Sequence, residues 1–386
     1  MHDVVVVGAG CVGSYLARLL AGKGLDVLVL EKDRQVGDSV NCSGIIGKEA
    51  FSSIDLPTDT IQNEVGALKV FGPSGGWVVY RPPDPLGYIV DRVRFDQRLA
   101  ERAMQSGAVY SLGSWVEDVE PDRDFVSLRV RTGEEERLVR GKVCVLATGF
   151  GGKHLRRLNL GRIDDWIQGV QLEACMEDVE NAEIYLGKTV APGSFAWVVP
   201  VGNGRCKVGL LAQAGGGDFL KRFIESPGLA PRLKAWDGTM KASLLPMGWL
   251  PKTSSERFLV IGEAAGQVKI TTSGGIYYGL LCAQIASEVL GRAFEKGDFT
   301  EPVLAAYDAE WKAKLEPERS MGKVLRRVFS RMSDRQIDAL IHLAQVDGVI
   351  PLVDRIFRFD WHAPLISALL KLYLPGSPSL QDSRPA

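Results

Sequence analysis

The amino-terminal run DVVVVGAGCVGSYLARLL, residues 3–20, reads as strand, turn and helix in one piece. Residues 3–7 are a β-branched run long enough for a buried parallel strand. Gly8, Gly10 and Gly13 follow in the spacing GxGxxG, and Tyr15, Leu16, Leu19 and Leu20 recur at helical intervals behind them. Each glycine answers a separate demand. The first permits a tight turn, the second lets backbone approach a pyrophosphate, and the third lets helix pack on strand. The helix start adds unpaired N–H groups and the positive end of its dipole. A second apolar run, Val27 to Leu30, ends on Glu31, where an acid can hold ribose hydroxyls. Strand, glycines, helix, strand and acid in this order predict a βαβ unit that binds an adenine dinucleotide.

The chain has 386 residues, 46% hydrophobic and 24% charged, which predicts a globular protein of two or three domains. A formal net charge of -1 gives no overall field for nucleic acid, and no nucleic-acid-binding signature is present. The six cysteines (Cys11, Cys42, Cys144, Cys175, Cys206, Cys282) form no CxxC pair, which argues against a metal site or a disulfide framework and suits a reducing compartment. The first strand starts almost at Met1, so no signal peptide is expected. The longest uncharged stretch, Ile270 to Ser287, holds three glycines, so it does not read as a membrane span. A cytoplasmic chain is expected, at most peripheral on the inner face of a membrane.

Further along, LKVFGPSGGWVVYRPPD alternates like hairpin strands, and VDRVRFDQRLAERAMQSG reads as a helix stopped at Gly107. Residues 109–148 are strand-like and end in KVCVLATG, which resembles a strand returning to the dinucleotide sheet. Strands are expected again over 166–213, with Val201-Gly202-Asn203-Gly204 as a hairpin turn. FLVIG at 258–262 reads as a buried strand, and from Thr300 to about Leu374 the pattern is helical. The predicted class is α/β: a Rossmann-like dinucleotide domain (1–45, 92–165 and 241–300) and an inserted, mostly antiparallel β-sheet substrate domain (46–91 and 166–240). A C-terminal helical region (301–374) and a disordered tail (375–386) follow.

The fingerprint alone does not separate NAD from FAD. A second glycine site does. The strand ending in Gly262-Glu263 leads through Ala264-Ala265-Gly266 into a Thr/Ser/Gly loop that opens a helix at Gly275. Glu263 can accept from the hydroxyls of a ribityl chain. The amides of Gly275 and Ile276 can face the negative edge of a reduced isoalloxazine. Two distant anchors suit FAD, whereas NAD needs one.

The segments GAGCVG with LEKD, NCSGIIGKEAF, VDRVRFDQRLA, PGSFAWVVP and GEAAGQVKITTSGGIYYGLLCAQIA resemble the geranylgeranyl reductase family of flavoproteins, within the p-hydroxybenzoate-hydroxylase-like group. The likeness covers roughly residues 1–290, and the last segment is its most specific part. It implies an FAD enzyme that reduces carbon–carbon double bonds of a geranylgeranyl or other isoprenoid chain on a lipid or pigment, with NAD(P)H or ferredoxin as reductant. It also implies that Val12 lies by the pyrophosphate, that Cys42, Ser43 and Gly44 run beside the flavin, that Arg92 meets the cofactor and that Val116 packs near the adenine. Cys42 is then the candidate for proton delivery to an alkene that has no carbonyl to polarise it. Phe195, Trp197 and Pro200 would line a tunnel for a prenyl chain, which offers only apolar area to grip.

The chain departs from the family pattern in places. Phe195 stands where tyrosine is usual, Val199 where an aromatic is usual, and Glu263 where aspartate is usual. ATGFGGKH lacks the Asp-Gly expected of aromatic hydroxylases, which disfavours the alternative of a flavin-dependent aromatic monooxygenase. A flavin- or isoprenoid-binding protein without turnover is a further alternative. Finally, RSMGKVLRRVFSRMSDR at 319–335 alternates basic and apolar residues as a helix lying on an anionic lipid surface would.

Overall fold

The expected βαβ unit is present as β1 (His2–Val7), α1 (Cys11–Gly22) and β2 (Val27–Leu30). The computed structural model describes residues 1–151, 155, 158–346 and 349–373, so the tail expected at 375–386 lies outside them. β1 pairs in parallel with β2, Val4 opposite Val27, and the apolar run earns its place because both faces of the sheet are covered. The chain then builds β3 (Ile45–Gly47), α2 (Lys48–Ser53), β4 (Ile61–Val65), β5 (Leu68–Phe71), β6 (Trp77–Tyr80) and β7 (Gly87–Val90). Of these, β3, β7 and β4 form a small antiparallel sheet. α3 (Arg92–Gln105) packs on α1 and starts at Asp91, whose carboxylate accepts from the Arg94 amide at 3.1 Å. β8 (Val109–Ser111) extends the parallel sheet beside β2. β9 (Ser114–Pro121), β10 (Val126–Thr132) and β11 (Glu135–Leu146) make an antiparallel meander whose last strand returns beside β1, Val6 opposite Val145.

A second large sheet is mostly antiparallel, as predicted. It contains β12 (Trp166–Met176), β13 (Ala182–Leu186), β14 (Phe195–Gly202) and β15 (Arg205–Ala212), with β5 and β6 at one end. Asn203 and Gly204 join β14 to β15 with φ of 54° and 72°, the left-handed pair that a tight hairpin turn demands. α4 (Gly216–Ile224) covers one face through Leu220 and Phe223, which pack on Val170, Leu172, Val208 and Leu210. β16 (Leu233–Trp236) and β17 (Lys241–Pro246) both pair with β12, so this layer runs on to Pro246.

β18 (Ser254–Ser255) and β19 (Phe258–Val260) bring the chain back to the parallel sheet, Val260 opposite Leu146 of β11. α5 (Ile276–Lys296) follows and lies against α1. The rest is helical: α6 (Glu301–Arg331), α7 (Asp334–Ala344), α8 (Val349–Ile356) and α9 (Ala363–Tyr373). α6 is anchored in the dinucleotide half. Its fully buried Tyr307 donates to the Val260 carbonyl at 3.0 Å, and its Trp311 donates to the Thr253 hydroxyl at 2.8 Å. The basic run at 319–335 is not one helix. α6 ends at Arg331, and Ser333 with Gln336 forms a capping box that opens α7. Among the described residues no helix is long and apolar enough to cross a membrane.

Candidate functional site

A cavity of about 560 Å³, within the range of ligand sites, joins the two glycine motifs. It runs from Glu31 and Ser114-Trp115-Val116, past residues 8–13 and Arg92, to Glu263, Gly275 and Ile276. The three fingerprint glycines differ in what surrounds them. A Cβ on Gly8, at φ +109°, would sit 2.4 Å from the Ala147 carbonyl oxygen, and one on Gly13 would sit 2.1 Å from the Gly8 carbonyl oxygen. Both positions are therefore closed by backbone. Around Gly10 nothing lies within 4 Å and this N-cap glycine supplies no side-chain cap to α1, while the Cys11 amide of the first turn is bonded to the Asp96 carboxylate. That opening is a cradle a side chain would fill. Glu31 accepts from the Ala9 amide at 2.7 Å and the Asp33 amide at 3.0 Å, which orients its carboxylate and leaves lone pairs free.

The far end is braced from α6. The Gly262 amide donates to Gln267 Oε1 at 2.7 Å, and Gln267 Nε2 donates to Tyr307 Oη at 2.7 Å. Gly262, at φ +69°, lies against Val12, and a Cβ on Gly279 would come 2.5 Å from the same valine. Val12 is thus the wedge between the two motifs. Burial pushes the Glu263 carboxyl up, and the Arg92 guanidinium opposes that rise. No side chain caps α5 at Gly275.

Arg92 is held in a buried pair with Asp96, one helical turn on. Nη2 lies 2.9 and 3.1 Å from the two carboxylate oxygens and Nε 3.3 Å from Oδ1, with side chains 10% and 3% exposed. Burial pushes the Asp96 carboxyl up while Arg92 holds it down. Asp96 lines the cavity as well. The Arg-x-x-x-Asp spacing in RVRFD, within α3, was the available signal for it.

Cys42 lines a second cavity, of about 330 Å³, that shares Val40 and Arg92 with the first. Gly44, at φ +83°, turns the chain so that its amide donates to Cys42 Sγ at 3.4 Å. The Cys42 carbonyl accepts from Lys207 Nζ at 3.0 Å and Gln171 Nε2 at 3.3 Å, which straps this loop to β15 and β12. Burial pushes the Lys207 ammonium down. Ser43 and Gly44 line neither cavity.

Phe195, Trp197 and Pro200 lie on β14 and border neither cavity. Phe195 and Trp197 pack with Ile167, Leu211, Met247 and Ile270. The Trp197 ring lies on Gly209, where a Cβ would come within 2.4 Å of it, and its Nε1 is buried without a hydrogen-bond acceptor among the described residues. The Pro200 carbonyl accepts from Asn63 Nδ2 at 2.9 Å.

Comparisons with known proteins bear on the family and the fold. A family model described as FAD dependent oxidoreductase matches residues 3–61. The chain is 31% identical to the digeranylgeranylglycerophospholipid reductase of Methanocaldococcus jannaschii, over 90% of this chain and 92% of that protein. It is 33% identical to digeranylgeranylglycerophospholipid reductase 2 of Methanothermobacter thermautotrophicus, over 88% and 91%. A solved structure of a geranylgeranyl bacteriochlorophyll reductase-like protein from Thermoplasma acidophilum superposes with a TM-score of 0.86, covering 97% of each chain at 24% identity. The flavin-dependent brominase Bmp2 shares the fold alone, at a TM-score of 0.74 and 19% identity. With about one residue in three shared across nearly the whole of both sequences, the chain belongs to the digeranylgeranylglycerophospholipid reductase family.

Proposed function

We propose that this protein is an FAD-dependent reductase of the carbon–carbon double bonds in a geranylgeranyl-type chain carried on a glycerophospholipid. The observation that carries the reading is one cavity gripped at its two ends by glycine motifs from widely separated parts of the sequence, residues 8–13 and 262–276. In this reading Gly8, Gly10, Val12 and Gly13 hold the pyrophosphate, Glu31 the ribose, and Val116 the adenine. Arg92 with Glu263, Gly275 and Ile276 holds the ribityl chain and ring, and the loop Cys42, Ser43 and Gly44 runs on the ring side, with Cys42 alone of the three on a cavity wall. The open space at Gly10 and the glycine N-caps of α1 and α5 fit a dinucleotide with an electron-rich ring. When bound and reduced by two electrons from the reductant, the flavin would supply the hydride for the double bond.

The residues of this chain supply the rest. An isolated alkene needs a proton at the carbon that does not receive hydride, and the Cys42 thiol is the proton donor in this reading. Its carbonyl is held by Lys207 and Gln171 and its sulfur by the Gly44 amide, which fixes the loop on the wall of the second cavity, next to Val40 and Arg92 that line both. In this reading Phe195, Trp197 and Pro200 of β14 form the apolar grip on the prenyl chain; Phe195 and Trp197 share one apolar cluster, and none of the three borders either cavity described above. NAD(P)H or ferredoxin serves as reductant. The enzyme meets its lipid at the cytoplasmic face of the membrane through the outer side of α6, where Leu325 and Val328 stand exposed among Arg327 and Arg331.

Anaerobic reduction of the purified protein followed by mixing with digeranylgeranyl lipid tests this reading. Flavin reoxidation with saturated product supports it. Oxygen-dependent hydroxylation, or tight binding without reaction, would replace it.

A further inference from the structure

Behind the far glycine motif sits a buried charge pair that lines neither cavity described above. Residues 269–274 form a tight turn in front of α5. The Lys269 amide donates to the Gly274 carbonyl at 3.0 Å, and the Ser273 amide donates to the Lys269 carbonyl at 2.8 Å. Gly275 and Ile276, next in the chain, line the first cavity. The Lys269 side chain runs close under this turn, since a Cβ on Gly274 would come 2.9 Å from its Cε. Its ammonium meets the Asp360 carboxylate, Nζ to Oδ1, at 2.7 Å, with side chains 8% and 2% exposed.

Asp360 arrives from the C-terminal region, and the segment around it grips the same turn and helix at three more points. Tyr278 Oη donates to the Asp360 carbonyl at 2.9 Å, and Thr271 Oγ1 lies 2.7 Å from His362 Nδ1. The Trp361 ring packs on Tyr277 and Tyr278. Two further acids face the segment. Glu49 accepts from the Asp360 amide at 3.4 Å, and Glu318 accepts from the His362 and Ala363 amides at 2.7 and 2.9 Å. Burial pushes both of these carboxyls up. Arg358 acts on Glu49 from an exposed position, and Arg319 is paired with Glu316.

Stability alone does not account for the pair. Asp360 Oδ2 is buried with no donor among the described residues, and apolar residues of similar volume often match or exceed a buried ion pair in stability. What the pair supplies is a fixed balance of charge, a cation under the turn that precedes Gly275 and an anion that cancels it. We infer that Lys269 and Asp360 are positioning residues that set the redox midpoint of the flavin in the first cavity. The inference rests on the FAD reading and deepens it. Two-electron reduction increases the negative charge on the ring, so a buried cation nearby favours the reduced form and a buried anion the oxidised form.

The test is spectroelectrochemical titration of the bound flavin in full-length wild type, D360N, K269M and K269M/D360N. D360N keeps an oxygen for Lys269 Nζ and removes only the charge. Flavin bound per chain and thermal melts check the folding of each variant. The expected midpoint rises in D360N and falls in K269M. Each shift is at least about tenfold in the ratio of reduced to oxidised flavin at fixed potential, roughly 30 mV for a two-electron couple. The double variant falls between the two. A clamp that acts only by packing would not give opposite signs. Midpoints that stay within that tenfold ratio of wild type, or that move the same way in D360N and K269M, overturn the inference and leave the FAD reading intact. If K269M does not fold, D360N against the double variant decides: a higher midpoint in D360N supports the inference, and equal midpoints overturn it. A wild type that takes up no FAD overturns the FAD reading, and this inference with it.

Discussion

Replacing Asp96 with alanine leaves the Arg92 guanidinium buried without its counter-ion beneath the dinucleotide cavity. At the observed 2.9 Å and an effective dielectric of 20, the attraction between the two charges is about 6 kcal/mol. Part of that offsets the cost of burying the carboxylate, so the net loss in D96A is about 3–5 kcal/mol, the range for one partner removed from a buried pair. D96N keeps an oxygen for Nη2 and loses less. The double variant R92M/D96L, which leaves no orphaned charge, recovers most of the stability. Urea unfolding followed by tryptophan fluorescence, without and with saturating FAD, reads all three. The FAD-dependent increment falls in D96A and in R92M/D96L alike, because D96A frees Arg92 from its fixed position at the cavity and R92M/D96L removes it. A D96A midpoint within 1 kcal/mol of wild type would refute the reasoning, since it would mean that water reaches Arg92 freely.

Other expectations follow from the same geometry. G13A is expected to destabilise the apo protein by about 1–3 kcal/mol, since its Cβ meets backbone, whereas G10A leaves apo stability unchanged and weakens FAD binding at least about tenfold; thermal melts and flavin titration separate the two. C42A is expected to lower single-turnover alkene reduction by about a hundredfold or more with the flavin spectrum unchanged, and an unaltered rate would remove Cys42 from proton delivery. Burial and the nearby Lys269 hold His362 at a pKa of about 4, below its ordinary 6.5, with its ring between Thr271 Oγ1 and the Phe359 carbonyl. The unfolded chain binds this proton first. The contribution is therefore complete above pH 6.5 and lost as pH falls toward 4, up to about 3 kcal/mol. The difference in urea midpoint between wild type and H362Q, measured at pH 7.5 and 4.5, should show it; a difference that does not move with pH would contradict the assignment.

What the sequence disclosed and what it withheld divide along a physical line. The GxGxxG run, Glu31, the hairpin at Asn203-Gly204 and the helix start at Gly275 were legible because each is a local backbone demand met within a few residues. The same holds for the Arg92–Asp96 pair, whose spacing of one helical turn is equally local. The strap on Cys42 was not legible. Lys207 lies 165 residues from it and Gln171 129, and only the folding of β12 and β15 over the loop brings them together. The brace of the second glycine motif by Tyr307 was hidden for the same reason. Residues 301–331 read as an amphipathic helix, and nothing in that periodicity says which strand end it covers. The break at Met332–Ser333 was readable in the serine and in Gln336 three positions later, but the run of basic residues on both sides masked it.

The account stands on one FAD per chain held across both glycine motifs, and a flavin titration of the purified protein reads that directly. The prediction is a yellow protein, or an apo protein that takes up one equivalent of FAD, with binding weakened by G10A at one end and by E263A at the other. A preparation that stays colourless with excess FAD, or one whose FAD affinity E263A leaves unchanged, would contradict it.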